Sequence, residues 1–197
     1  KLLSNGNIFL HEKGSVPGLA GNYAGDLTEF DWDGKKIWQW KGEIPGRQPV
    51  IGPVHHDYLR LENGNTLVLA VDKINRPNIS DKDLMDDVYY EVTPDGKVVW
   101  ELRVADLYDQ FGFTGEQKKL ISNQTGVFGP HWTRCNSLTV LPPNKWFDQG
   151  DQRFKPGNLL TSFRDLNVVC IIERDSRKIV WKLGPNYPDG KMDQIIG

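Results

Sequence analysis

The residue types in this chain best suited to chemistry are histidine, asparagine and arginine, and they fall at matching distances from tight turns. His55-His56-Asp57 precedes Leu61 and the turn Glu62-Asn63-Gly64, and Arg134-Cys135-Asn136 precedes Leu141 and Pro142-Pro143-Asn144, so that His56 and Asn136 each lie five residues before the leucine. Arg164 ends a further apolar run, Thr161-Ser162-Phe163-Arg164. Residues two apart on a strand share a face, which puts Arg134 on the side of Asn136 and His55 on the side opposite His56. If equivalent strands converge, His56, Asn136, Arg134 and Arg164 form a site of one imidazole, one amide and two guanidiniums. Guanidinium forks and amide donors match the oxygens of a sulfuryl or phosphoryl group, and a neutral imidazole serves as nucleophile or as acid toward a leaving oxygen. The plainer reading makes the histidines hydrogen-bonded rim residues and pairs Arg134 and Arg164 with acids such as Asp57 or Asp165. No Ser-His-Asp arrangement stands out. Only His11 and His131 remain as further imidazoles and no carboxylates cluster at ligand spacing, so neither a metal nor a cofactor is expected.

The elements that must position these residues recur. A turn followed by an apolar run is found at 2–10, 61–71 and 155–163. After each comes a hairpin pattern, at 27–40, 88–102 and 168–183, turning at Asp-Gly in the first two and at Ser176-Arg177 in the third. Alternation sets Ile37, Val99 and Val180 on one face and Trp38, Trp100 and Trp181 on the other. A large indole repeated once per unit is a packing device for neighbouring sheets, with a ligand-stacking role second to it. Each unit reads as about four strands, which is the form of a β-propeller blade. About three blades are present, so 1–197 is expected to be a single, incomplete propeller domain. Residues 103–131 form a long insert, with weak helical pattern over Ala105–Phe111 or Gly115–Leu120 and otherwise an irregular, lid-like loop.

Bulk properties exclude several classes. The 197 residues suffice for a real core, and 38% apolar content is ordinary for a folded chain. A net charge of −2 with acids and bases interspersed gives no footprint for nucleic acid. No window is long and apolar enough for a membrane span, and no secretory leader is visible at the start. Cys135 and Cys170 lack CxxC spacing and read as buried small apolar residues, with a disulfide between them the lesser alternative.

The stretches "HHDYLRLENGNTLVLAVD", "HWTRCNSLTVLP", "GNLLTSFRDLNVVCIIERDSRKIVWKLGP" and "LTEFDWDGKKIWQW" together resemble the aryl-sulfate sulfotransferase family. The resemblance implies an all-β, six-bladed propeller that moves a sulfuryl group from an aryl sulfate to a phenol by ping-pong transfer through a sulfohistidine. It implies that His56, or else His55, assists at the phenolic oxygen, and that Asn136 and Arg164 bind sulfuryl oxygens. It also implies a periplasmic or extracellular setting, with small-molecule partners and an assembly of like chains left open. Two departures stand out. Arg134 occupies the place of a family histidine and cannot shuttle a proton at neutral pH. The family's nucleophilic histidine, expected after the "KLGP" strand, does not occur before Gly197, so the nucleophile is expected beyond these residues. A non-catalytic propeller that binds a ligand or assembles with other chains is the alternative. A quinone-cofactor dehydrogenase propeller would need a metal site and more blades.

Overall fold

The computed structural model describes residues 1–12, 25–44, 54–123 and 131–184. They form three antiparallel sheets whose strands follow one another in chain order. The first sheet contains β1 (Ile8–His11), β2 (Leu27–Phe30) and β3 (Lys36–Trp40). The second contains β4 (Tyr58–Arg60), β5 (Thr66–Ile74), β6 (Leu84–Val92) and β7 (Val98–Arg103). The third contains β8 (Cys135–Val140), β9 (Leu159–Phe163), β10 (Val168–Glu173) and β11 (Lys178–Leu183). The chain is all-β, as expected. The three hairpins stand where the repeat placed them. At their turns Gly34 and Gly96 take φ of 78° and 84°, a backbone open to glycine, and Arg177 takes φ 56° in the third.

Among the described residues, the first sheet has three strands where about four are expected. In place of an innermost strand, Leu2 bridges to Ile8 and the Phe9 amide donates to the Lys1 carbonyl at 2.8 Å. The pattern before each tryptophan is also more specific than alternation. Trp38 pairs with Glu29 and Trp181 with Ile171, and the residue before each, Ile37 or Val180, is skipped in the register. Such a bulge adds local twist.

The chain divides into two compact units, residues 1–73 with 88–101 and residues 74–87 with 102–197. In the first, Phe9, Leu27, Trp40, Tyr58, Val68 and Tyr90 are part of a buried cluster against which Trp38 packs. Each such side chain contributes about 1.5–3 kcal/mol by leaving water. Trp38 is the packing device that its recurrence suggests: its ring lies 5.9 Å from Phe9, and Nε1 donates to the Pro94 carbonyl of the next hairpin turn at 2.8 Å. The turns before β1 and β5 share a clamp. Asn5 and Asn7 donate to Glu29, and Asn63 and Asn65 donate to Glu91.

In the second unit the described part of the insert is a packed element rather than an irregular loop. A 3-10 helix, Val104–Phe111, buries Val104, Ala105, Leu107, Tyr108 and Phe111, and α1 (Gly115–Asn123) follows it. Phe111 meets Phe163 at 5.5 Å and Tyr108 meets Trp132 at 5.7 Å, which ties the insert into the aromatic core. The sequence predicts one helical stretch, at either of these two places, and both places are helical. Residues 124–130 of the insert and the segment 185–197 lie outside the described residues. Between β8 and β9 the short helix α2 (Lys145–Asp148) is capped by the Asn144 side chain, which accepts from the Phe147 amide.

Candidate functional site

In the first unit, the chain leads into β4 through His55, His56 and Asp57. The Asp57 amide donates to the His55 carbonyl at 2.6 Å, and this tight turn forces His56 to φ 51°. A left-handed residue breaks the period-two rule, and the two imidazoles therefore do not part to opposite faces as expected. Their Nδ1 atoms lie 2.9 Å apart and their rings stand nearly perpendicular, at 89°. His55 is fully buried and His56 is exposed. A buried imidazole thus fixes the ring of a solvent-facing one. Asp57 pairs with Lys1 at 2.5 Å.

In the second unit, the chain leads into β8 through His131, Trp132, Thr133 and Arg134. Arg134 also takes a left-handed backbone, φ 52°, and the register of β8 against β9 skips Asn136, placing a bulge there. The count that matched His56 to Asn136 therefore matches two points where each strand departs from regular pairing. Arg164 follows β9, and its amide donates to the Arg134 carbonyl at 3.0 Å, while the Asp165 amide donates to the Thr133 carbonyl at 3.1 Å. Arg134, Asn136 and Arg164 are thus gathered on adjoining strand ends of this unit. Arg134 is buried, with Nε 3.4 Å from Asp165 Oδ2, so the pairing with Asp165 foreseen as the plainer reading is realised. Asn136 and Arg164 are half-buried. Among the described residues, the Asn136 Oδ1 and Asp165 Oδ1 atoms have no hydrogen-bond partner.

Two buried acids that the sequence reading missed underlie this segment. Asp86 and Asp87, adjacent on β6, are fully buried. Asp86 accepts from Trp132 Nε1 at 3.0 Å and from the Ala105 amide at 3.3 Å. Asp87 accepts from the Thr133 hydroxyl and from the Cys135 amide, the latter at 2.7 Å, and its Oδ1 lies 3.1 Å from His131 Nε2. The available signal was two adjacent like charges at the head of the apolar run Val88-Tyr89-Tyr90, a pattern that a buried strand tolerates only when partners wait for both carboxylates. Burial pushes the Asp86 carboxyl well above its ordinary range, and the charge of Asp87 adds to the effect. Burial likewise raises Asp165, against the pull of Arg134, His131 and Arg164.

Both cysteines are buried thiols outside any disulfide, as expected. Burial holds the Cys170 thiol up at about 12, which makes it inert as a nucleophile. Among the described residues, no three His, Cys, Asp or Glu side chains gather into a metal-ligand set, and no helix is long and apolar enough to cross a membrane.

With strand ends that present imidazole, amide and guanidinium groups in place, the family model that matches residues 1–190 is Arylsulfotransferase (ASST). The chain belongs to the arylsulfotransferase family. The match covers all three sheets and the starts of both β4 and β8, and it assigns the chain arylsulfotransferase-like function and small-molecule substrates at the level of the family. Comparison with curated proteins and with solved structures finds no match.

Proposed function

We propose that this arylsulfotransferase chain transfers a sulfuryl group from an aryl sulfate to a phenolic acceptor, with Asn136 and Arg164 binding sulfuryl oxygens and His56 as an acid–base group. The observation that carries the reading is the gathering of Arg134, Asn136 and Arg164 on adjoining strand ends of a chain that the family model covers almost throughout. In the first half-reaction a nitrogen–sulfur bond forms to a nucleophilic histidine as the sulfur–oxygen bond to the aryl group breaks. His56 protonates the departing phenolate, with His55 holding its ring. In the second half-reaction the acceptor phenol gives its proton to His56 and takes the sulfuryl group. Asn136 and Arg164 stabilise charge on the sulfuryl oxygens in both. The three sheets serve as propeller blades in this reading, and the setting is periplasmic or extracellular.

The assay is release of p-nitrophenol from p-nitrophenyl sulfate, dependent on an added phenol. His56→Ala is expected to lower the rate by about 10²-fold or more, the usual scale of a lost acid–base group. A full-length protein without turnover, or a His56→Ala variant equal to wild type, sinks the reading.

A second reading is favoured by the burial of Arg134 against Asp165, which is what a structural guanidinium does. In it, the chain binds sulfate esters or assembles with other chains without catalysis. Saturable binding of p-nitrophenyl sulfate with no product after prolonged incubation selects it.

A further inference from the structure

We propose that Asp87 is a positioning residue whose buried carboxylate sets the backbone that presents Arg134 and Asn136 to an anionic sulfuryl group. This rests on the sulfuryl reading above and adds to it the group that shapes the anion-binding strand end. One carboxylate meets three alternate residues of a single segment: the His131 imidazole at 3.1 Å, the Thr133 hydroxyl and the Cys135 amide at 2.7 Å. Arg134 lies between the last two, in the left-handed region at φ 52°. A non-glycine residue stays there only when its surroundings over-determine it. Asp87 fixes the residues on either side of Arg134. From the other side the Arg164 and Asp165 amides hold the Arg134 and Thr133 carbonyls. The bulge at Asn136 follows directly, so the amide and the guanidinium take their places from one clamp.

The neighbouring Asp86 supplies the contrast within the same strand. It is equally buried, but its oxygens go to Trp132 and to the start of the 3-10 helix rather than to residues 133–135. Loss of Asp86 loosens the insert, whereas loss of Asp87 frees the start of β8.

The test is the affinity of the full-length protein for p-nitrophenyl sulfate, by calorimetry, alongside thermal unfolding of each variant. Asp87→Asn is expected to weaken binding by about tenfold, the worth of a bond to a charged group. Asp86→Ala, even where it lowers the melting temperature as much, is expected to stay within about twofold. Thr133→Val removes one of the three contacts and should weaken binding by about threefold, and Thr133→Ser, which keeps the hydroxyl, should restore it. Wild-type affinity in Asp87→Asn, with Arg134→Ala and Asn136→Ala both weakened, overturns the positioning role and leaves the sulfuryl reading standing. If Asp87→Asn does not fold, wild-type affinity in Thr133→Val overturns it instead. If Asn136→Ala and Arg164→Ala bind as tightly as wild type, the sulfuryl reading fails and the positioning role with it.

Discussion

The segments leading into β4 and β8 solve one geometric problem in two ways. Each contains a single non-glycine residue with a left-handed backbone, His56 at φ 51° and Arg134 at φ 52°. Ahead of β4 the strained residue faces solvent, sits in a tight turn and lies against the ring of His55. Ahead of β8 the strained residue is buried and held by Asp87 through its neighbours, by Asp165 at its guanidinium and by the Arg164 amide at its carbonyl. An exposed imidazole can exchange protons with what arrives from solvent. A clamped guanidinium can only be pre-set. The same irregularity thus delivers an adaptable group in one place and a fixed one in the other.

The largest expected effect comes from breaking the fixed segment. Arg134→Ala leaves the Asp165 carboxylate buried beside an emptied site, at a cost of about 3–5 kcal/mol. Denaturant unfolding should show it, and a loss below about 1 kcal/mol, the scale of an exposed pair, would mean that the ion pair is decorative.

An intermediate effect concerns pH. The Asp86 carboxyl titrates well above its unfolded value of about 4, because burial and Asp87 disfavour its charge. The folded state therefore holds the proton where the unfolded state has released it, and stability falls as pH rises above the unfolded value toward the folded one. Asp86→Asn removes the titrating group and should flatten that decline in melting temperature. A wild-type protein whose stability rises through the same window, with a slope unchanged by Asp86→Asn, contradicts the raised value.

The smallest effect is expected at the exposed segment. In His56→Gly, relief of the left-handed backbone and the greater freedom of the unfolded glycine chain oppose each other at similar size, so stability should stay within about 1 kcal/mol of wild type. Turnover should fall as in His56→Ala. A large loss of stability would erase the distinction between the adaptable segment and the fixed one.

These strand starts also mark where sequence reasoning stopped. The hairpins were legible because Asp-Gly turns and a recurring tryptophan are local signals, whereas the insert gave only a weak sign of one helical stretch where two are present. The orientation of His55 and His56 was not legible, because face assignment assumes a regular strand and one residue at φ 51° ends that regularity. Asn136 was found by counting from a turn, but the bulge it occupies was not, since a bulge leaves no mark in composition. Asp86 and Asp87 escaped because acids read as surface residues until the donors folded against them are known, and those donors come from residues 105, 132, 133 and 135.

The asparagine clamp of the first two turns has a counterpart in its absence from the third sheet. Ile171 stands opposite Trp181 where Glu29 stands opposite Trp38, and Asn158 donates to the Arg153 carbonyl instead of to an acid. In that sheet the turn has grown into the loop that carries α2, with Asn144 as its own internal brace. Turn and acid behave as one exchangeable cassette. A loop graft that shortens 142–157 to the Glu-Asn-Gly-Asn form would need an acid at position 171 in the same step, and length at this edge can change only where the partner two strands into the sheet changes with it.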